Sequence, residues 1–127
     1  MASKKEIFTQ MRDKFKDARI THNYSNEDDY DRIDREYQEL KKSYLNALSE
    51  AMEKTDSYDP YYLKNVPRVN GSGYYMLYHL DKNSSLNECF TALTFLIKNH
   101  KNNPGGFATA VNDKTVYRVL KYVCDLL

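Results

Sequence analysis

The side chains that could do chemistry in this chain of 127 residues are few and scattered. His22, His79 and His100 are isolated, with no cysteine or histidine at zinc-finger or metalloprotease spacing, so they carry no metal signature. The acidic run from Glu27 to Glu39 lacks the alternating oxygen ligands and central glycine of a calcium loop, and it follows a helical pattern. Asn70, Gly71, Ser72 and Gly73 have the small residues of a phosphate cradle. No Lys-Ser or Lys-Thr pair follows them, however, and no long strand precedes them. No serine lies in a nucleophile elbow, and Cys89 with a distant histidine is not a motif. The expectation is a protein that is not an enzyme, with no catalytic residue, no metal and no cofactor.

Two signals stand out from this background. The first is tyrosine, present 12 times. A tyrosine buries a large ring at small entropic cost and keeps a polar tip, which enriches it at protein interfaces. Six of them, Tyr58, Tyr61, Tyr62, Tyr74, Tyr75 and Tyr78, crowd a segment punctuated by Pro60, Pro67, Gly71 and Gly73. With Tyr44 and Arg68 they form the candidate protein interface. Tyrosines interleaved with cations such as Lys64 and Arg68 can also stack on unpaired bases.

The second signal is the run from Lys114 to Leu120, which resembles the recognition helix of helix-turn-helix regulators. The resemblance covers about ten residues and implies that Lys114, Thr115, Tyr117, Arg118 and Lys121 face outward, toward phosphates and base edges in a major groove. Pro104, Gly105 and Gly106 fall where the first helix of that motif belongs, leaving Phe107 to Val111. Ala110 stands where its turn has a glycine.

The elements that must position these residues follow from periodicity. The organising stretch runs from Glu27 to Lys54, where Tyr30, Ile33, Tyr37, Leu40, Tyr44, Ala47 and Ala51 recur at alternating steps of three and four, a heptad seam. Its acidic start suits the positive end of a helix dipole, Ser25 with Asp28 offers a capping box, and Asp28/Arg32, Asp31/Arg35 and Arg35/Glu39 are spaced for ion pairs. Before it, Ser3 and Glu6 cap a first helix over about 4–18, with Ile7, Phe8, Met11, Phe15 and Ala18 on one face. The two helices form an N-terminal antiparallel hairpin over about 4–54. The first is the shorter, so Tyr44 to Met52 needs the C-terminal helices or a second chain as partner.

The segment 55–84 is irregular. A short helix follows Asp59-Pro60, and Tyr74 to Leu80 reads as helix for want of β-branched residues, the alternative being one strand of a small hairpin. Ser85 and Glu88 cap a helix over about 85–99 that is apolar over more than half its circumference and therefore central. Lys101 to Gly106 forces a turn. Asp113 caps a last helix to about 127 with Val116, Val119, Leu120, Val123 and Leu127 inward.

The fold class is thus all-α, one small four- or five-helix bundle over residues 1–127. Its 19 basic and 18 acidic residues give no global field toward nucleic acid or membrane. No window spans a bilayer and no apolar leader opens the chain, so the cytoplasm is the expected compartment, a host's if the chain is phage- or virus-encoded. Cys89 and Cys124 read as buried thiols. The Lys, Asn and Tyr content with no Trp is that of AT-rich coding sequence, as in many phages. The expected function is a non-catalytic protein-interaction module, as in a phage, viral or mobile-element accessory, inhibitor or immunity protein. Self-association through the second helix is one form of partner. The alternative is a small nucleic-acid-binding regulator using the last helix.

Overall fold

The computed structural model of the protein describes residues 2–21, 30–66, 74–102 and 104–127. Among them the only regular elements are helices: α1 (Lys4–Lys16), α2 (Tyr30–Lys54), α3 (Tyr62–Asn65), α4 (Tyr74–His79), α5 (Leu86–Lys98), α6 (Pro104–Asn112) and α7 (Thr115–Leu126). The expected all-α bundle is the architecture, with α3 and α4 as short pieces of the Tyr-rich middle. The Ser25/Asp28 cap, the acidic start before Tyr30, His22, Arg68, the Asn70 to Gly73 turn and the second part of the link joining α1 to α2, residues 22–29, lie outside the described residues.

The bundle is built around α5. Its sequence is apolar nearly all round, and every residue from Cys89 to Ile97 is buried. Such a helix must be covered on all sides. Ser85 starts it with a full capping box: Glu88 N–H donates to Ser85 Oγ (3.1 Å) and Ser85 N–H donates to Glu88 Oε1 (2.9 Å). Around it, α1 packs most extensively on α7, and one continuous core joins Phe8 and Phe15 to Leu93, Leu96, Val119 and Leu120. Both cysteines are free and buried, and burial pushes the Cys89 thiol up to about 11, which keeps it an inert apolar filler.

Helix α6 is longer than the sequence pattern promised. Instead of a turn through Gly106, the helix starts at Pro104 and includes both glycines. Proline suits a first helical turn, where its missing N–H has no partner to lose. Asn112 at the end of α6 holds the chain leaving α1: Ile20 N–H donates to Asn112 Oδ1 (2.7 Å) and Asn112 Nδ2 donates to Ile20 O (2.8 Å). Lys114, with φ 69°, makes the sharp turn into α7 and stands at the N-cap position expected of Asp113; Asp113, one residue earlier, accepts from Thr115 N–H through Oδ1 (3.0 Å) and so ties the turn.

The seam of α2 is the main correction. Ile33 and Ala51 are buried and Tyr37, Tyr44 and Ala47 half-buried, but Tyr30 is 62% and Leu40 39% exposed. The inward stripe of the second half is instead Leu45, Leu48 and Met52, which meets α5 and α6. A seven-residue repeat drifts by roughly 20° per heptad on a straight helix, so without a supercoiling partner it cannot face one core along its whole length. On the outer face, among the described residues, ion pairs join Arg32 to Glu36 (3.1 Å) and Glu50 to Lys54 (2.7 Å), and the expected pairs of Asp31 and Glu39 with Arg35 are not among them.

Helix α2 ends where Asp56 takes a left-handed conformation, φ 52°. Asp56 N–H donates to Glu53 O (3.2 Å) and Ser57 N–H to Met52 O (2.9 Å), a Schellman arrangement that satisfies the last carbonyls and turns the chain back toward α5. The rotated stripe is testable in urea denaturation. Leu48→Ala should cost about 2–5 kcal/mol, while Leu40→Ala should cost less than about 1 kcal/mol. The opposite order would restore the heptad seam.

Candidate functional site

The chain that leaves α2 is fixed to α5 by one carboxylate. Thr91 and Thr94 are buried on the central helix, where an unsatisfied hydroxyl would cost free energy. Thr94 Oγ1 donates to Phe90 O (2.7 Å) and accepts from Asp59 N–H (3.0 Å). Thr91 Oγ1 donates to Asp59 Oδ2 (2.6 Å), and Asn65 Nδ2 donates to the same oxygen (2.8 Å). Asp59 Oδ1 in turn accepts from Tyr61 N–H (2.8 Å), which sets the turn into α3. Burial raises the Asp59 pKa, but the hydrogen bonds from Thr91, Asn65 and the Tyr61 backbone outweigh it, and the net shift is downward.

This joint presents α3 rigidly. Tyr62 points inward, its ring edge-on to Phe95 with centroids 6.4 Å apart. Its neighbours stand out: Tyr61 is 69% and Leu63 64% exposed. Beside them a cleft of about 400 Å³ is lined by Asp56, Asp59, Pro60, Asn65, Asn87 and Phe90, with Lys4 at its edge.

The other expected interface residues are distributed differently. Tyr44 is half-buried, its ring 5.4 Å from that of Phe15 and capped by the Lys14 ammonium at 5.4 Å. Tyr58 shares a 2.5 Å hydrogen bond with Ser49 Oγ and carries the Lys98 ammonium 4.6 Å from its ring, and burial raises its pKa. Tyr78 is partly exposed, and its carbonyl accepts from Arg118 Nη2 (3.2 Å). Tyr74 and Tyr75 belong to the backbone of α4, with their side chains outside the described set. Of the eight candidates, then, the structure gathers Tyr58, Tyr61 and Tyr62 along one segment, and of these Tyr61 is the ring turned to solvent.

The five candidates for nucleic-acid contact do not form one outward face. Thr115 is buried against the core. Lys114 Nζ donates to Ala18 O (3.3 Å), and Arg118 Nη1 donates to Leu80 O (3.1 Å). Tyr117 is half-buried, with the Lys121 ammonium 5.9 Å from its ring centroid. Lys121 is the exposed cation of the set. The physical reason is packing: α7 lies against α1 and α5, so the residues of its first turn face carbonyls at the ends of neighbouring elements.

Sequence reasoning missed Asp59 and Asn112. The available signal for Asp59 was Thr91 and Thr94, two polar residues three apart in an otherwise apolar run, whose buried hydroxyls need hydrogen-bond partners. Among the described residues, no group of three or more His, Cys, Asp or Glu stands together to hold a metal ion, and no helix is long and apolar enough to cross a membrane. Compared with models of known families, with curated proteins and with solved structures, the chain matches none.

The Asp59 joint gives a signed pH dependence. A carboxylate whose folded pKa lies below its unfolded value, about 4, contributes stability above that value and loses it as pH falls through the folded pKa. Asp59→Ala should therefore cost about 1–3 kcal/mol near neutral pH, and in urea melts its deficit relative to the unsubstituted chain should shrink as the pH falls below the ordinary aspartate range, about 4. A deficit independent of pH would mean that Asp59 acts by packing alone.

Proposed function

We propose that the protein is a non-catalytic protein-interaction module that docks a partner protein on the α3 turn, with Tyr61 and Leu63 as anchors. The observation that carries this reading is that two large apolar side chains, two residues apart, are left about two-thirds exposed on a segment clamped from beneath by Asp59. Exposed apolar side chains scattered singly need no explanation, whereas a rigid aromatic–aliphatic pair next to a cleft has the make-up of an interface hot spot. Clamping matters because side chains and loops that are already ordered lose less entropy on binding. The near balance of 19 basic and 18 acidic residues favours a protein partner over a polyanion. An accessory, inhibitor or immunity factor, which acts by occupying another protein's surface, fits this description.

The test is site-specific photocrosslinking in cells that encode the chain, with benzoylphenylalanine replacing Tyr61 and, as a control, replacing exposed Lys121. Position 61 should yield one dominant protein adduct that position 121 does not, and Leu63→Ser should reduce it severalfold with the helical circular dichroism unchanged. Equal adducts from both positions, or none from position 61, would remove α3 as the docking face.

A further inference from the structure

The cleft beside α3 holds a charge arrangement that its own chain leaves incomplete. Asp59 is fixed by three donors, Thr91 Oγ1, Asn65 Nδ2 and Tyr61 N–H, all of them neutral groups. A carboxylate has about four acceptor positions, so one remains, on Oδ1. No cation among the described residues lies within ion-pairing distance of it. Asp56 lines the same cleft from its left-handed turn, exposed and without a side-chain partner among the described residues. A partly buried ionised carboxylate is normally paired, and Asp59, half-buried, shares the lining of a cleft of about 400 Å³ with the exposed Asp56.

The lining already seats one cation on an aromatic ring. Phe90 and Lys4 both line the cleft, and the Lys4 ammonium sits 4.9 Å from the Phe90 ring centroid. Lys4 is one positive charge against two carboxylates, which leaves the cleft net negative although the whole chain is +1. Asn87 has an amide free of partners among the described residues, and Asn65 keeps its carbonyl oxygen, so two amide groups with hydrogen-bonding capacity left also line the cleft.

We infer that this cleft receives a basic side chain, lysine or arginine, from the partner docked on α3, its cationic head between Asp56 and Asp59 and its stem along Phe90, displacing the Lys4 ammonium from the ring. Long basic side chains suit such a site because they lay an apolar stem on a ring and leave the head at the polar wall. The planar fork of arginine matches two carboxylates best. Lys4, on the first turn of α1, is the internal competitor for the ring face. The inference rests on the interaction reading and specifies the partner's chemistry next to Tyr61.

The test uses the full chain and three capped peptides, acetyl-Gly-Arg-Gly-amide and its Leu and Glu counterparts, in a proton–nitrogen NMR titration. The Arg peptide should give saturable shifts at the amides of Asp56, Asp59, Asn87 and Thr91 in the millimolar range, the Leu peptide weaker ones and the Glu peptide none. Asp56→Asn, which keeps a residue tolerant of the left-handed turn, should weaken binding about threefold, and Lys4→Ala should strengthen it. Equal response to all three peptides, or an Arg response indifferent to both substitutions, overturns the cleft. No response to Arg while crosslinking from position 61 persists overturns the cleft alone and leaves the docking face standing.

Discussion

Two hydroxyls inside the most buried helix constrain this fold. Thr91 and Thr94 are 4% and 1% exposed, and hydroxyls so deeply buried need hydrogen-bond partners in the packed structure. Thr94 can return one bond to its own helix at Phe90 O, but its acceptor capacity and the whole of Thr91 call for an outside donor and acceptor. Asp59 supplies both, the backbone N–H to Thr94 and the carboxylate to Thr91. The path of the chain from the end of α2 to α3 follows, since Asp59 must arrive over that face of α5. The left-handed residue at Asp56 is how the chain turns to get there.

The same economy governs the far side of the bundle. The chain leaving α1 and the chain leaving α4 both end with carbonyls that no helix satisfies, and the cations of the α6–α7 corner take them up: Lys114 at Ala18, Arg118 at Tyr78 and Leu80. Two of the cations that the sequence pattern places on a ligand-facing surface, Lys114 and Arg118, thus make hydrogen bonds within the fold. Hydrogen bonds from a charged donor to a carbonyl at a helix end are worth more than a surface ion pair, so a guanidinium spent on two carbonyls is a packing residue.

What was legible in the sequence was local. Ser85 with Glu88, and the apolar width that follows, marked α5 and its central place, because capping and periodicity depend on residues a few positions apart. The rotation of α2 was not legible. Tyr30, Leu40 and Ala47 fit a heptad as well as Leu45, Leu48 and Met52 fit the stripe actually buried, and only the position of α5 and α6 decides between them. Asp59 and Asn112 escaped for a related reason: their partners lie 32 and 92 residues away, at Thr91 and Ile20. A single polar residue carries no periodicity to announce such a partner.

The tyrosines change meaning in this light. Tyr37, Tyr44, Tyr58, Tyr117 and Tyr122 pack their rings partly into the rim of one core. A small bundle has much rim for its volume, and a side chain that is apolar along its body and polar at its tip closes that rim without leaving an unsatisfied group. Abundance of tyrosine is thus accounted for by the fold, and it no longer argues for an interface. Position does: among the described residues Tyr61 has neither a ring partner like that of Tyr62 nor a hydroxyl partner like that of Tyr58. Its turn is nonetheless among the most firmly tied in the molecule, because the carboxylate that orders the Tyr61 backbone is the one that satisfies the central helix. A side chain exposed by slack carries little information, whereas one held out by the constraint that organises the core is preorganised for contact.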